Sequence, residues 1–155
     1  MAIATKLKTY LDENKVHYHI LAHHEKFTAP EIAQALHVPG RMLAKVILIK
    51  ADDREFIVTL DANTQIDLTA LGQAIGATYV TLATEAEIRQ RFPDCEVGAM
   101  PPFGNLYDLP VVVDAPLTMD KEIVFEAGNH HEAIKLAYTD FERLVHPQVA
   151  EIGIR

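Results

Sequence analysis

Residues 43–60 read Leu43-Ala44-Lys45-Val46-Ile47-Leu48-Ile49-Lys50-Ala51-Asp52-Asp53-Arg54-Glu55-Phe56-Ile57-Val58-Thr59-Leu60, and this stretch decides the fold. Two apolar runs rich in β-branched residues flank an Asp-Asp pair. Residues 43–50 make a strand, Asp52-Asp53 turns the chain, and 55–60 returns as the second arm of a hairpin. Strand alternation puts Leu43, Lys45, Ile47 and Ile49 on one face, so Lys45 is the only charge among three aliphatics. A desolvated ammonium is costly without an anionic partner. Either its stem covers apolar surface with the head at the sheet edge, or it awaits an anion such as a phosphate or carboxylate.

Working outward, helices and strands interleave. Ile3, Leu7, Tyr10 and Leu11 mark one face of a helix over 3–14, and Met1-Ala2-Ile3-Ala4-Thr5-Lys6 reads as its start rather than as a signal core. Residues 17–21 read as a short strand. Thr28-Ala29-Pro30-Glu31 fits a capping box with proline in the first turn, opening a helix to about Leu36. Asp67 and Gly76 bracket a helix over 67–75, and 79–82 is a short strand. Thr84-Glu85-Ala86-Glu87 is a second capping box, whose helix ends before Pro93. Strands follow at about 110–114, 122–126 and 132–138. Thr139-Asp140-Phe141-Glu142 is a third box, opening a short final helix. The order predicts an α+β fold, a mixed and mainly antiparallel sheet with helices against it. No Gly-x-Gly-x-x-Gly turn follows a strand, which argues against the doubly wound nucleotide fold.

The 155 residues suit one domain spanning 1–155. A formal net charge of −8 argues against tight, non-specific binding to nucleic acid, so DNA is not an expected partner. It leaves room for weak, salt-sensitive contact with the end of one RNA. No apolar run is long enough to span a membrane. Cys95 is the only cysteine, so no internal disulfide is possible, and the expected compartment is the cytoplasm.

Residues 98–104, Gly98-Ala99-Met100-Pro101-Pro102-Phe103-Gly104, make a stiff loop between two glycines. Such a loop either connects two strands or presents backbone N–H groups to a ligand. The histidines, among them His17, His19, His23-His24 and His130-His131, show no His-x-x-x-His helix pair and no cysteine cluster, so no metal or other cofactor is expected. The chain contains no serine, which excludes a Gly-x-Ser-x-Gly nucleophile. Cys95 is either a nucleophile activated by a histidine or a structural thiol. Asp114 ends a Val-Val-Val strand and either caps the turn at Pro116 or orients a ligand.

Thr28-Ala29, Ala44-Lys45-Val46, the 98–104 loop, Leu109 to Asp114 and Gly128-Asn129-His130 occur in that order. The ordered set resembles the YbaK / prolyl-tRNA synthetase-associated editing domain family over roughly residues 3–146. The resemblance implies a curved, barrel-like mixed sheet flanked by helices, in a free-standing member. It implies a deacylase that hydrolyses the ester of mischarged aminoacyl-tRNA, such as tRNA for proline carrying a small amino acid. Its expected partners are the acceptor end and, at times, an aminoacyl-tRNA synthetase. It gives Lys45 the acceptor end, and it makes Gly98 and Gly104 the ends of a catalytic loop. Thr28, Met100, Pro101, Pro102, Phe103, Asp114, Gly128 and His130 fall at substrate-binding positions. Met100, Pro101-Pro102 and Phe103 depart from the small residues common in that loop. Two other readings stay open: a non-catalytic module binding an amino acid, nucleotide or protein, and a small hydrolase using Cys95 or His130.

Overall fold

A computed structural model describes residues 3–26 and 28–154. Met1 and Ala2, included in the expected N-terminal helix, lie outside the described residues. In chain order come α1 (Thr5–Glu13), β1 (Tyr18–Ala22), α2 (Ala29–Ala35), β2 (Ala44–Ala51), β3 (Arg54–Asp61) and β4 (Gln65–Ile66). Then follow α3 (Leu68–Ile75), β5 (Val80–Leu82), α4 (Glu85–Arg91), β6 (Val111–Asp114) and β7 (Glu122–Glu126). The chain closes with β8 (Glu132–Ala137), α5 (Tyr138–Val145), β9 (Gln148–Ala150) and β10 (Gly153–Ile154).

Local chemistry sets most of these boundaries. Thr28 accepts the Glu31 N–H at the start of α2, and Asp67 accepts the Ala70 N–H at the start of α3. Gly76 ends α3 at φ 70°, a left-handed position that glycine takes without strain. At α4 the box is complete: Thr84 accepts the Glu87 N–H, and Glu87 accepts the Thr84 N–H. The third box, at Thr139, is not used. The chain runs from β8 straight into α5, whose first residue is Tyr138 and whose start has no side-chain cap. The Tyr138 N–H is instead bound by the Lys121 carbonyl, so tertiary pairing fixes that start.

The hairpin forms as its sequence predicts, with Ala44 opposite Asp61 and Ala51 opposite Arg54. It is the centre of a five-stranded sheet ordered β5-β2-β3-β6-β9, where β6 joins β3 in parallel and β9 joins β6 in parallel. A second sheet, β1-β8-β7, is antiparallel throughout, and β4 pairs with β10. The fold is α+β with a mixed, mainly antiparallel set of strands. Among the described residues the strands divide into three sheets rather than closing a barrel, and a bridge from Leu43 to Val124 links the two larger ones.

Three apolar clusters hold these layers. The largest packs Leu7 and Leu11 of α1, Leu48 of β2, Phe125 of β7 and Phe141 of α5 around Phe103. On the other face of the five-stranded sheet, Ile49, Phe56 and Val58 meet Leu71 of α3. The third lies at the seam between sheets, where Ile32 of α2 packs with Leu43 and Val124. That seam positions the site. β5 pairs only with Ile49, Lys50 and Ala51, so among the described residues no strand covers the same edge of β2 at 44–47. Helix α2 and the 98–104 loop approach there instead.

Candidate active site

A cavity of about 170 Å³ opens at the uncovered edge of β2. Leu43 to Ile47 form one wall, Ala29 and Ile32 of α2 a second, Gly98 and Met100 a third, and Glu126 at the end of β7 a fourth. The walls are mainly aliphatic, with Lys45 and Glu126 the two ionisable groups on them.

Lys45 is partly buried, and among the described residues no ion pair or hydrogen bond engages its ammonium. Burial pulls its pKa below the ordinary lysine value, while the negative charge of Asp61 works in the opposite direction. The other cations near this strand are engaged. Lys50 pairs with Glu87 at 2.8 Å, and Arg41 lies 3.8 Å from Asp120. Lys45 is therefore the cation of this strand left for an anionic ligand.

The loop is set by its own packing. Gly98 is exposed at φ 88°, and an alanine Cβ there would lie 3.4 Å from His130 Cε1. The Gly98 N–H donates to the Met100 thioether at 3.2 Å, which is a weak acceptor. Pro101 and Pro102 are buried, and the Phe103 ring sits 5.5 Å from both Phe125 and Phe141. Phe103 anchors the loop in the core and does not line the cavity. Gly104 is set by close packing: a Cβ there would lie 2.3 Å from the Leu109 carbonyl oxygen, so glycine is needed.

The remaining expected residues lie around this centre. Thr28 is the exposed cap of α2, one residue before the cavity wall. Asp114 does not cap the turn at Pro116; its buried carboxylate accepts the Ile152 N–H at 3.0 Å and ties the C-terminal segment to β6. Gly128, at φ 111°, leaves room for Ala4 at the start of α1. His130 lies directly behind Gly98, its Nε2 2.8 Å from the Val97 carbonyl and its Nδ1 3.3 Å from Glu126 Oε1. The structure thus brings Lys45, Gly98, Met100 and, through Glu126, His130 together. Glu126 itself is not legible in the sequence, where Glu122, Val124 and Glu126 alternate like the wet side of a strand. Burial pushes its carboxyl up to about 7, with His130 opposing that shift and Glu96 adding to it.

Cys95 is buried, with Sγ 3.6 Å from the Tyr107 hydroxyl. Burial pushes its thiol up to about 12, which leaves almost no thiolate near neutrality. Larger grooves, of about 650, 810, 620 and 310 Å³, do not include Lys45. The first is lined by Glu25, Glu85 and Glu96 together with His130 and Arg89, the latter paired with Glu85, so carboxylates outnumber the arginine there and it is a poor surface for phosphate.

Residues 23–144 match the aminoacyl-tRNA editing domain family. The chain is 28% identical to the prolyl-tRNA editing protein ProX of Acetoanaerobium sticklandii over 141 residues, 87% of this chain and 85% of that one. It is 32% identical over 99 residues to the multifunctional Ser/Thr-tRNA deacylase ProXp-y of Escherichia coli K12, 63% of this chain and 58% of the relative. A solved structure of a candidate trans-editing enzyme for prolyl tRNA synthetase superposes with a TM-score of 0.84 at 20% identity, covering 98% of this chain and 97% of that one. The protein belongs to the aminoacyl-tRNA editing domain family.

Proposed function

We propose that the chain is one trans-acting editing domain that hydrolyses the ester of mischarged aminoacyl-tRNA, with tRNA for proline carrying a small amino acid as the first substrate to try. One observation carries this reading: Lys45 and Gly98 share the walls of a single cavity. At about 170 Å³ the cavity is smaller than the ~300–1,000 Å³ typical of drug-sized ligands. It suits an aminoacyl group and leaves the nucleotide outside. Lys45 takes the phosphate or ribose region of the acceptor end, where its ammonium, which has no ion pair among the described residues, gains an anionic contact. The Gly98 N–H turns from the Met100 sulfur to the ester oxygen as negative charge develops there, since an oxyanion is the far stronger acceptor.

The match across most of ProX favours action in trans, and the editing family favours contact with the tRNA acceptor end, in company with a synthetase where one delivers the charged tRNA. Among the described residues, no helix is long and apolar enough to cross a membrane. We place the protein in the cytoplasm, where charged tRNA is used. Thr28, Asp114 and Gly128 hold the elements around the cavity rather than touching the aminoacyl group.

Hydrolysis rates on tRNA charged with alanine, cysteine, serine and threonine test the proposal. Turnover of at least one, surviving Cys95→Ala, is the expected result. Binding of charged tRNA without turnover would support the non-catalytic module, and loss of activity with the thiol would support the cysteine hydrolase.

A further inference from the structure

We propose that Glu126 is the proton-transfer residue of this cavity and that it holds one proton jointly with His130; the inference rests on the deacylase reading above. The argument begins at the Val97 carbonyl, which can only accept. Its 2.8 Å contact therefore puts an imidazole proton on His130 Nε2. In a neutral ring so oriented, Nδ1 carries a lone pair, and it faces Glu126 Oε1 at 3.3 Å. An ionised carboxylate would set lone pair against lone pair across that gap. The contact is a hydrogen bond in two microstates only: a carboxylic acid donating to Nδ1, or an imidazolium donating to a carboxylate. Each state contains one shared proton.

The surroundings favour keeping that proton. The Glu126 side chain is 12% exposed and that of His130 is 7% exposed, so an uncompensated carboxylate there is poorly solvated. Glu96 accepts the His130 backbone N–H at 2.8 Å and adds a second negative charge beside the pair. Lys45 is the cation on the cavity wall from β2. Burial pushes Glu126 up to about 7, near the value at which a group both gives and takes protons efficiently. Among the described residues no hydrogen bond engages Glu126 Oε2, which leaves that oxygen to a substrate or water.

The step balances without any further reagent. Water attacks the ester carbonyl carbon, and the bond from that carbon to the ribose oxygen breaks with its electron pair on the ribose oxygen. The pair gives its proton to that oxygen through Glu126, and it takes back the proton released by the attacking water. A free amino acid and an uncharged tRNA hydroxyl leave, and the shared proton is restored. Glu126 is then the catalytic residue, and His130 is a positioning residue that fixes its orientation and proton affinity.

Two measurements test this. The first is kcat and KM for the reactive charged tRNA between pH 5.5 and 8.5, in parent, Glu126→Gln and His130→Gln. The parent should lose rate as pH rises through about 7, where the shared proton departs. Glu126→Gln should lower kcat about 10²- to 10⁴-fold with little change in KM and should remove that limb. His130→Gln should move the limb to higher pH, because the imidazolium no longer lowers the carboxyl's proton affinity. A Glu126→Gln enzyme with parental kcat and the same limb would overturn the proposal. The second measurement is made on the unmodified protein: the ¹⁵N shifts of the His130 ring and the carboxyl ¹³C shift of Glu126 across the same range. A neutral ring beside an ionised carboxylate at pH 6 would overturn the shared proton. Failure of every charged tRNA to react would overturn the deacylase reading, and with it the transfer step, while the ring and carboxyl shifts still decide whether the proton is shared.

Discussion

Replacing Gly98 by alanine separates backbone geometry from bulk. The position has φ 88°, and the added Cβ would meet His130 Cε1 at 3.4 Å and Nε2 at 3.8 Å, which are ordinary contacts. The penalty is therefore backbone strain, about 1–3 kcal/mol for a non-glycine residue held at such an angle. In a domain of this length that lowers Tm by about 2–4 °C per kcal/mol. Gly76 supplies the control, with φ 70° and open space around its Cβ. Both alanine variants should melt a few degrees below the parent. They should differ in activity. Relaxing the strain at residue 98 rotates the N–H that now points at Met100 and moves the loop against His130, so deacylation should fall about 10²- to 10³-fold, the usual cost of one misplaced oxyanion donor. Gly76→Ala should hydrolyse charged tRNA like the parent at temperatures where it is folded. Parental activity in Gly98→Ala, with the expected melting loss, would refute the assignment of that N–H to the reaction.

Other perturbations address separate links. Lys45→Ala should reduce kcat/KM about 10- to 150-fold, the loss of about 1.5–3 kcal/mol from a charged hydrogen bond, with Tm unchanged or raised because a desolvated ammonium is removed. Phe103→Ala should cost about 3–5 kcal/mol in urea unfolding, since its ring fills the centre of the largest cluster. Thr84→Ala should cost about 1 kcal/mol by breaking the capping box of α4, with no effect on hydrolysis. The Glu126 carboxyl is raised in the folded state, so its protonated form is the one that folding favours. Its stabilising contribution is present below the ordinary carboxyl range and is lost as pH rises through about 7. The stability of Glu126→Gln relative to the parent should therefore grow across that same window, measured by chemical denaturation.

The parts of the fold that depend on nearby residues are legible in the chain. The 43–60 hairpin, the Asp67 and Thr84 caps and the Gly76 stop each follow from residues within a few positions, and each forms. The Thr139 box has the same local pattern, yet the path from β8 into α5 overrides it. β4, β9 and β10 are two or three residues long, and their pairing partners are remote in sequence, so no periodicity announces them. The site divides similarly. Lys45 stands out because a charge interrupts an aliphatic face, and Gly98 because it borders the proline loop. Glu126 does not stand out, because its burial comes from the loop that carries Val97 and Gly98, which covers the end of β7. Asp114 is a strand-end carboxylate whose partner, the Ile152 N–H, is 38 positions away.

Titration of isotope-labelled protein with a non-hydrolysable 3′-aminoacylamino-adenosine, followed by backbone and lysine-side-chain NMR, bears most directly on the small cavity as the place where the ester is held. The account predicts the largest shifts at the Gly98 N–H and the Lys45 ammonium, saturating together and abolished by Lys45→Ala. Shifts confined to the Glu25–Glu85 groove or to the groove along α1, with Gly98 and Lys45 unmoved at saturation, would contradict it.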